Sequence, residues 1–384
     1  MTDRKYRIII LGAGFSRPAG LPLADELWQK ILKQCKNLWG RASMLNDDLD
    51  AYIGYRRDCD GIELTRDTVN FEEFLGYLDV EHYLGLRGKN TWSIDGNEGQ
   101  VVVKTLIGNI LTQYMPAVDK IPELYLKFAR RLRPGDYILT FNYDILLERS
   151  LDALEIPYRL FPDRFVSVSR YSGIIDSRKE EVIILKLHGS IDWFDKKRYL
   201  NRLQNYKEQG AQEPPEDIVF NSKEKWSISK LVDGPRPDND PLTDIYRVAE
   251  IEDLYKKQLL FLATPWMLSP STNKIVYASP LYDFWNGLGV SGQNNFGMAI
   301  IGYSLPFHDV YAKQTIYSLV RNYQEVYWDQ YIFRKKKSPL VLVDFQPSQE
   351  RFKSFRDNYR FIDFNKAELY MDGFNIDVID KIFS

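Results

Sequence analysis

Short, almost entirely apolar runs recur along the 384-residue chain, and they are the feature that most constrains its fold. Runs of this kind, rich in Ile, Val and Leu, are typical of strands that are buried on both faces, as in a parallel sheet. Stretches with apolar residues at helical spacing, such as Leu27, Ile31 and Cys35, separate most of them. We therefore expect an α/β protein with a Rossmann-like, doubly wound and mainly parallel sheet. The predicted strands are Arg7–Leu11, Tyr137–Thr140, Val182–Leu187, Leu259–Ala263, Met298–Ile301 and Leu340–Phe345.

Three longer segments lie outside this strand pattern. Residues 24–135 are mostly helical in pattern and predict a helical subdomain inserted within the sheet domain. Residues 195–257 are charged and contain several prolines; a solvated loop is the favoured interpretation, with a mobile flap or a partner surface as alternatives. Residues 346–384 are expected to form a C-terminal helical tail. The basic run from Arg334 to Lys337 is expected to be a solvated turn.

Composition and charge exclude several classes of protein. The chain has 51 Lys and Arg against 53 Asp and Glu, so we expect no direct nucleic-acid binding. Its apolar runs are shorter than the roughly 18 residues of a membrane span, and the first is too short for a signal peptide, so a cytoplasmic location is expected. Two cysteines, Cys35 and Cys59, supply neither a disulfide scaffold nor a four-cysteine zinc ribbon, and no metal site is expected.

A glycine-rich turn, Gly12-Ala13-Gly14-Phe15-Ser16, follows the first predicted strand. Such a turn lets backbone N–H groups approach a pyrophosphate, with the next helix N-terminus stabilising its charge. The match to the dehydrogenase motif is incomplete, because Arg17 stands at the third glycine position. An ordinary tight strand-to-helix turn is the alternative interpretation.

Polar residues follow the other predicted strands, where a doubly wound sheet binds its ligands. Asn142 and Asp144 alternate and would point to one side if the strand continued, although Asp144 could also cap the next helix. His188 has a side chain suited to proton transfer, although a lone histidine is more often structural. The turn Gly302-Tyr303-Ser304 offers a hydroxyl for a ribose or phosphate, and Asp344 offers an acceptor for ribose hydroxyls.

These segments, in this order at successive strand ends, resemble the sirtuin-like NAD-binding domain. The variant they are most similar to is the prokaryotic branch found in antiphage defence, and a single sirtuin-like domain over residues 1–384 is expected. The resemblance covers roughly residues 6 to 346. It is carried by Gly12-Ala13-Gly14-Phe15-Ser16, Gly20-Leu21-Pro22, Phe141-Asn142-Tyr143-Asp144, Leu187-His188-Gly189 and Gly302-Tyr303-Ser304-Leu305-Pro306.

The resemblance implies a role for each strand-end residue. Asn142 is expected to position the nicotinamide ribose and the attacking water, and His188 is expected to accept a proton. The first glycine turn would bind the pyrophosphate, Asp144 would lie near the nicotinamide carboxamide, and the turn at Gly302 would line the adenosine side. The expected NAD-binding residues are Gly12, Ala13, Gly14, Phe15, Ser16, Pro22, Asp144, Gly302, Tyr303, Ser304 and Asp344.

Two departures from protein-deacylating sirtuins shift the expected activity. Those proteins carry a zinc ribbon with two cysteine pairs, and they carry Gln where this chain has Phe141. The resemblance therefore implies an NAD glycohydrolase that uses NAD as substrate, needs no metal, and depletes NAD in defence. A non-catalytic sensor of NAD or ADP-ribose and an NAD-dependent protein deacylase are the alternatives. The resemblance further implies a homo-oligomer and, as in similar compact chains, a HerA-type ATPase as partner.

Overall fold

The central feature of the fold is a seven-stranded sheet in which every neighbouring pair of strands is parallel. The computed structural model describes residues 6–35, 42–86, 97–169, 173–210, 213, 217–257, 264–269, 279–331 and 336–384. Its strands are β1 Arg7–Leu11, β2 Tyr137–Thr140, β3 Tyr158–Arg159, β4 Phe165–Val168, β5 Gly173–Ile175, β6 Val182–Lys186, β7 Trp193–Asp195, β8 Ile228–Lys230, β9 Ile245–Val248, β10 Gly297–Ile301, β11 Leu340–Val343 and β12 Ala367–Tyr370. The order in the main sheet is β12-β11-β10-β1-β2-β6-β3, which confirms the predicted α/β fold class.

The five inner strands of the main sheet form where the sequence has its apolar runs. β1 lies between β2 and β10, with Ile10 paired to Leu139 on one side and Ile300 on the other. All three residues are buried, which is what a strand covered on both faces requires. Five of the six predicted strands are present, two of them ending slightly earlier, and Leu259–Ala263 lies outside the described residues.

The described residues between β1 and β2 are helical, as predicted for residues 24–135. Trp28 anchors two of these helices, because its ring stacks on Phe71 with centroids 6.2 Å apart while its indole N–H donates to the Arg66 carbonyl. None of the helices in the described ranges is both long and apolar enough to cross a bilayer. The helices are α1 Ala13–Ser16, α2 Ala24–Cys35, α3 Ala42–Asp60, α4 Phe71–Leu84, α5 Glu98–Tyr114, α6 Glu123–Arg131, α7 Leu146–Asp152, α8 Lys196–Glu208, α9 Ile251–Lys257, α10 Tyr282–Trp285, α11 Leu288–Ser291, α12 Val310–Glu325, α13 Gln349–Asn358 and α14 Ile379–Ile382.

The favoured interpretation of residues 195–257 as a solvated loop is wrong for much of that segment. It contains α8, α9 and two strands, β8 and β9, which join β7 in a three-stranded antiparallel sheet. Apolar residues on this sheet and its flanks are buried, among them Leu231, Ile245 and Val248. The packing of these buried side chains stabilises the segment. The many charged residues and prolines around them made this apolar packing hard to predict from the sequence.

The C-terminal tail is only partly helical. Residues 346–384 contain α13 and α14, but β12 also lies there and adds the seventh parallel strand beside β11. Its sequence, Ala367-Glu368-Leu369-Tyr370, has no β-branched residue, so pattern alone did not indicate a strand.

The basic run before β11 agrees with its prediction only in part. Arg334 and Lys335 lie outside the described residues and Lys336 is exposed, but Lys337 is buried rather than solvated. Its ammonium donates to the carbonyls of Gly292 and Tyr323 at 3.0 and 3.1 Å. Burial lowers the pKa of Lys337 to about 8.

Candidate active site

The candidate site lies at the carboxyl ends of the central strands. From β1 the chain continues to β2 on one side of the sheet, whereas β10, on the other side of β1, leads to β11. The direction of winding therefore changes between β1 and β10, and open α/β sheets bind ligands in the crevice beside such a change. The loops after β1, β2, β6 and β10 meet there.

The glycines of two of these loops are required by a close crossing of backbones. Gly12 N–H donates to the Ile301 carbonyl at 3.0 Å, and Gly14 N–H donates to the Gly302 carbonyl at 2.9 Å. A Cβ on Gly14 would lie 2.6 Å from Gly302 Cα. Gly302 also has φ of +60°, and a Cβ there would lie 2.4 Å from Gly14. The two loops are therefore held together through positions that accept no side chain.

This crossing changes the physical interpretation of the first glycine turn. The N–H groups of Gly12, Gly14 and Phe15 all donate to backbone carbonyls, so in this structure they are engaged within the protein. The Phe15 ring packs in the core against Tyr125 and Phe128, and Pro22 is buried as well. The tight-turn interpretation explains these glycines fully, and pyrophosphate binding by this loop stays a prediction.

Asn142, Ser16 and Asp144 form one buried hydrogen-bond network. Asn142 Nδ2 donates to the Gly12 carbonyl at 3.0 Å and to Ser16 Oγ at 3.2 Å. The Ser16 hydroxyl donates to Asp144 Oδ2 at 2.9 Å. Because a carbonyl oxygen only accepts, the Gly12 contact fixes which end of the Asn142 amide is the donor. Asn142 Oδ1 is then the end oriented to accept from a ligand hydroxyl or a water.

The residues after β2 are also held by contacts with the first helix and with the start of the next one. β2 ends at Thr140, so Asn142 and Asp144 converge through their shared partner Ser16 and not through strand alternation. Asp144 Oδ1 accepts the Leu146 N–H at the start of α7, but the N-cap of that helix is Ile145, so Asp144 is not the cap expected as the alternative. The contacts of Asp144 with Ser16 and Leu146 use different oxygens, so both form at once.

A buried ion pair supports this loop. The ammonium of Lys186, at the end of β6, donates to the Asp144 carbonyl and lies 2.9 Å from Glu148 Oε1. Burial raises the pKa of the Glu148 carboxyl, and the positive charge of Lys186 opposes that shift. The Lys186 ammonium thus links the end of β6 both to the loop after β2 and to α7.

His188 is buried and held by a carboxylate. Its Nε2 lies 2.9 Å from Asp309 Oδ2, and the two side chains are only 5% and 0% exposed. The following residue, Gly189, has φ of +78°, and a Cβ there would lie 2.3 Å from the Trp266 carbonyl. The His188 carbonyl accepts the Leu268 N–H at 2.9 Å. Backbone and ring of His188 are thus both constrained.

Aromatic rings connect His188 with the Asn142 loop. Phe141 packs edge-on against the His188 ring, with centroids 5.0 Å apart, and stacks on Tyr303 at 4.3 Å. Tyr143 lies 6.1 Å from the same imidazole. Asn142 therefore sits between two residues that contact His188. Burial, followed by the charge of Asp309, raises the pKa of the Tyr303 hydroxyl well above its usual value.

The remaining predicted residues are placed less centrally. Asp344 accepts from the Phe345 N–H at 2.8 Å and from Gln346 at 3.0 Å, so its carboxylate is bonded within its own loop. Burial raises the pKa of Asp344, and these bonds oppose the shift. Ser304 is exposed, and its carbonyl accepts from Asn358. Ala13 is exposed at the turn. Ribose and adenosine contacts by this group stay predictions.

Two contacts were missed from the sequence, and both come from the loop after β10. Asp309 contacts His188, and its neighbour His308 lies 2.6 Å from Glu72 at the start of α4. Asp309 stands directly before α12, where Asp is a common N-cap, so its residue type does not indicate a distant contact. The partners are 121 and 236 residues apart, and a single sequence does not indicate such contacts.

One family model matches part of the chain. Residues 136–228 match the SIR2-like domain. The match spans β2 to β8 and includes Asn142, Asp144 and His188, and it supports a sirtuin-like family. It covers less than half of the chain and excludes the loops after β1 and β10.

Comparison with individual proteins gives only distant similarity. No curated protein matches the sequence. A solved structure described as "The Structural basis of Sirtuin Substrate Affinity" is 12% identical with a TM-score of 0.35, covering 98% of this chain and 92% of its own. Another, described as "Structural Basis for the Mechanism and Regulation of Sir2 Enzymes", is 13% identical with a TM-score of 0.36, covering 99% and 91%. The SIR2-like match is the finding that supports the family.

Proposed function

We propose that this chain is an NAD glycohydrolase, which releases nicotinamide and ADP-ribose. The observation that carries the proposal is the convergence of the Asn142–Ser16–Asp144 network and the His188–Asp309 pair at the carboxyl ends of β2 and β6. The SIR2-like match supports NAD-dependent activity in general. The polar groups present fit hydrolysis, because they offer one oriented acceptor and one titratable base, both buried at the ends of neighbouring strands.

In the proposed reaction, Asn142 orients the ribose and the attacking water. Nicotinamide is a cationic leaving group, so its bond to ribose breaks with strong oxocarbenium character and needs little push from the nucleophile. The site then has to hold the ribose and one water in a reactive arrangement. Asn142 meets this need, since its Nδ2 is anchored to Gly12 and Ser16 and its Oδ1 is the end turned to accept.

His188 supplies the base. A water that attacks the anomeric carbon must lose a proton, and imidazole exchanges protons near neutral pH. The ring of His188 is held by Asp309 and flanked by Phe141 and Tyr143, so it does not have to be ordered during the reaction. Asp144, which shares Ser16 with Asn142, is the residue that we assign to the nicotinamide carboxamide.

The test is chromatography of the full chain incubated with NAD. We expect nicotinamide and ADP-ribose in equal amounts, and a loss of about 100-fold or more in His188→Ala and Asn142→Ala, the scale of general-base and orientation effects. His82→Ala and Asn205→Ala are the matched controls; Asn205 is an exposed residue of α8, and His82 lies in the last turn of α4. Near-normal rates in both site variants would refute the assignment.

The same assay separates the alternative functions. Nicotinamide release that requires an acyl-lysine peptide would indicate a deacylase. Thermal stabilisation by NAD or ADP-ribose without product would indicate a sensor. The sensor outcome is not expected, because a buried base beside an oriented amide has a role in bond cleavage that simple binding does not need. The deacylase outcome is not expected, because the two cysteines of the chain cannot form the zinc ribbon of protein-deacylating sirtuins.

The biological setting stays a proposal that rests on the resemblance. We infer an NAD-depleting effector of antiphage defence that forms a homo-oligomer and is controlled by a HerA-type ATPase. Light scattering of the purified chain tests the first part, and the rate of NAD loss with and without a candidate ATPase tests the second. A monomer whose rate is unaffected by the ATPase would contradict this setting.

A further inference from the structure

Asp309 uses its two carboxylate oxygens for two different partners. Oδ1 accepts the Ala312 N–H at 3.1 Å and caps the N-terminus of α12. Oδ2 lies 2.9 Å from His188 Nε2. The side chain is fully buried, and the N-terminus of this 16-residue helix stabilises its negative charge. The cap therefore also fixes the carboxylate against the imidazole.

The contact determines which nitrogen of His188 carries the proton. An ionised carboxylate only accepts hydrogen bonds, so a neutral imidazole must place its proton on Nε2 to bond with Asp309. The lone pair is then on Nδ1, and a proton taken up during the reaction goes there. The imidazolium that results is stabilised by the adjacent negative charge.

We propose that Asp309 is a positioning residue that acts through His188: it holds the neutral imidazole as the Nε2–H tautomer, so that Nδ1 is the proton acceptor. The inference rests on the proposed function for its catalytic meaning, but the tautomer itself is a property of the protein without substrate. A role limited to capping α12 would make the contact with His188 incidental.

Asp309→Asn separates the two roles. The Asn amide oxygen can still accept the Ala312 N–H, because Asn is as good an N-cap as Asp. Its Nδ2 group then faces His188 Nε2 as a donor, which favours the opposite tautomer, with the proton on Nδ1. Asp195→Asn is the matched control, since Asp195 caps α8 by accepting the Lys197 N–H at 2.9 Å.

The direct readout is nuclear magnetic resonance of the full chain labelled with ¹⁵N-histidine, without NAD. Long-range proton–nitrogen correlations distinguish the two neutral tautomers, and His188→Ala identifies the signals. We expect Nε2–H in the wild-type protein and in Asp195→Asn, and the Nδ1–H tautomer in Asp309→Asn. An Nδ1–H tautomer in the wild-type protein, or the same tautomer in all three proteins, would overturn the proposal.

Kinetics supply the second readout. We expect Asp309→Asn to lower kcat for NAD about 100-fold or more with little change in KM, while Asp195→Asn leaves both unchanged. Asp309→Ser, which retains a good cap, should lose kcat in the same way if Asp309→Asn does not fold. Normal kcat in a folded Asp309 variant would overturn the catalytic part. If the wild-type protein releases no nicotinamide, the proposed function fails, and the resonance experiment still decides the tautomer.

Discussion

Two consecutive residues, His308 and Asp309, form histidine–carboxylate contacts on opposite sides of one loop, and the two contacts differ in their burial. Asp309 and its partner His188 are at most 5% exposed. The side chains of His308 and Glu72 are 14% and 21% exposed, and they join the loop to the helical segment through α4. The same two functional groups thus hold a buried ring in one orientation in His188–Asp309, and they form a titratable link between two elements in His308–Glu72.

The largest difference is expected in catalysis. Replacing His188 by Ala should lower the rate of NAD cleavage about 100-fold or more, because it removes the proposed base. Replacing His308 by Ala should retain most of the rate, since that ring contacts Glu72 and is given no part in proton transfer. Parallel initial rates of nicotinamide release measure both. Equal losses in the two variants would remove the functional distinction between the pairs.

The second prediction concerns a substitution that would affect both histidine–carboxylate pairs, because His308 and Asp309 both lie in the loop after β10. Gly302→Ala places a Cβ 2.4 Å from the Gly14 backbone at a φ of +60°, so we expect it to destabilise the fold by about 2–4 kcal/mol. Gly20→Ala is the matched control. Its φ is +92°, but open space surrounds the new Cβ, so only about 1 kcal/mol is expected.

Urea denaturation measures these two free energies of unfolding. If Gly302→Ala were no less stable than Gly20→Ala, the crossing of the two loops would not be as tight as the structure shows.

The smallest effect is the pH dependence of the partly buried pair, His308 and Glu72. Burial lowers the pKa of His308, but its hydrogen bond and charge interaction with Glu72 outweigh this effect and raise the pKa overall. Glu73 and Asp309 add further negative charge nearby. The pair therefore stabilises the protein fully below the unfolded-state pKa of roughly 6.5, and this contribution is lost as the pH rises through the folded-state pKa.

Glu72→Gln should accordingly destabilise the protein by about 1 kcal/mol near pH 5.5 and by less near pH 8.5. Thermal unfolding of the wild-type and variant proteins at both values measures the difference. A loss that is larger at the higher pH would show that the sign is wrong, and that Glu72 stabilises by some contact other than protonated His308.

The sequence predicted those parts of the fold that depend on local pattern. β1, β2, β6, β10 and β11 are runs of residues that suit a buried strand, and their order indicated a parallel sheet. β12 and the small sheet of residues 193–248 were missed, because their residues are mixed in polarity and are stabilised by packing that a window of sequence does not contain.

The candidate site was likewise predicted only in part from the sequence. Asn142, Asp144 and His188 could be named because strand ends of such a sheet face one crevice. Their contacts could not be predicted. Ser16 was named as part of the glycine turn, but its bond to Asp144 spans 128 residues, and the contact of Asp309 with His188 spans 121 residues. The glycines of the first turn were correctly placed at a tight turn, but the close approach of Gly302 that requires them depends on how β10 pairs with β1.

The most direct test of the central claim is the release of nicotinamide from NAD by the full chain, alone and with a candidate ATPase, in parallel with His188→Ala. The account predicts one ADP-ribose for each nicotinamide, without any acyl peptide, and a loss of about 100-fold or more in the variant. Intact NAD binding with no release in either condition, or release that His188→Ala does not slow, would contradict it.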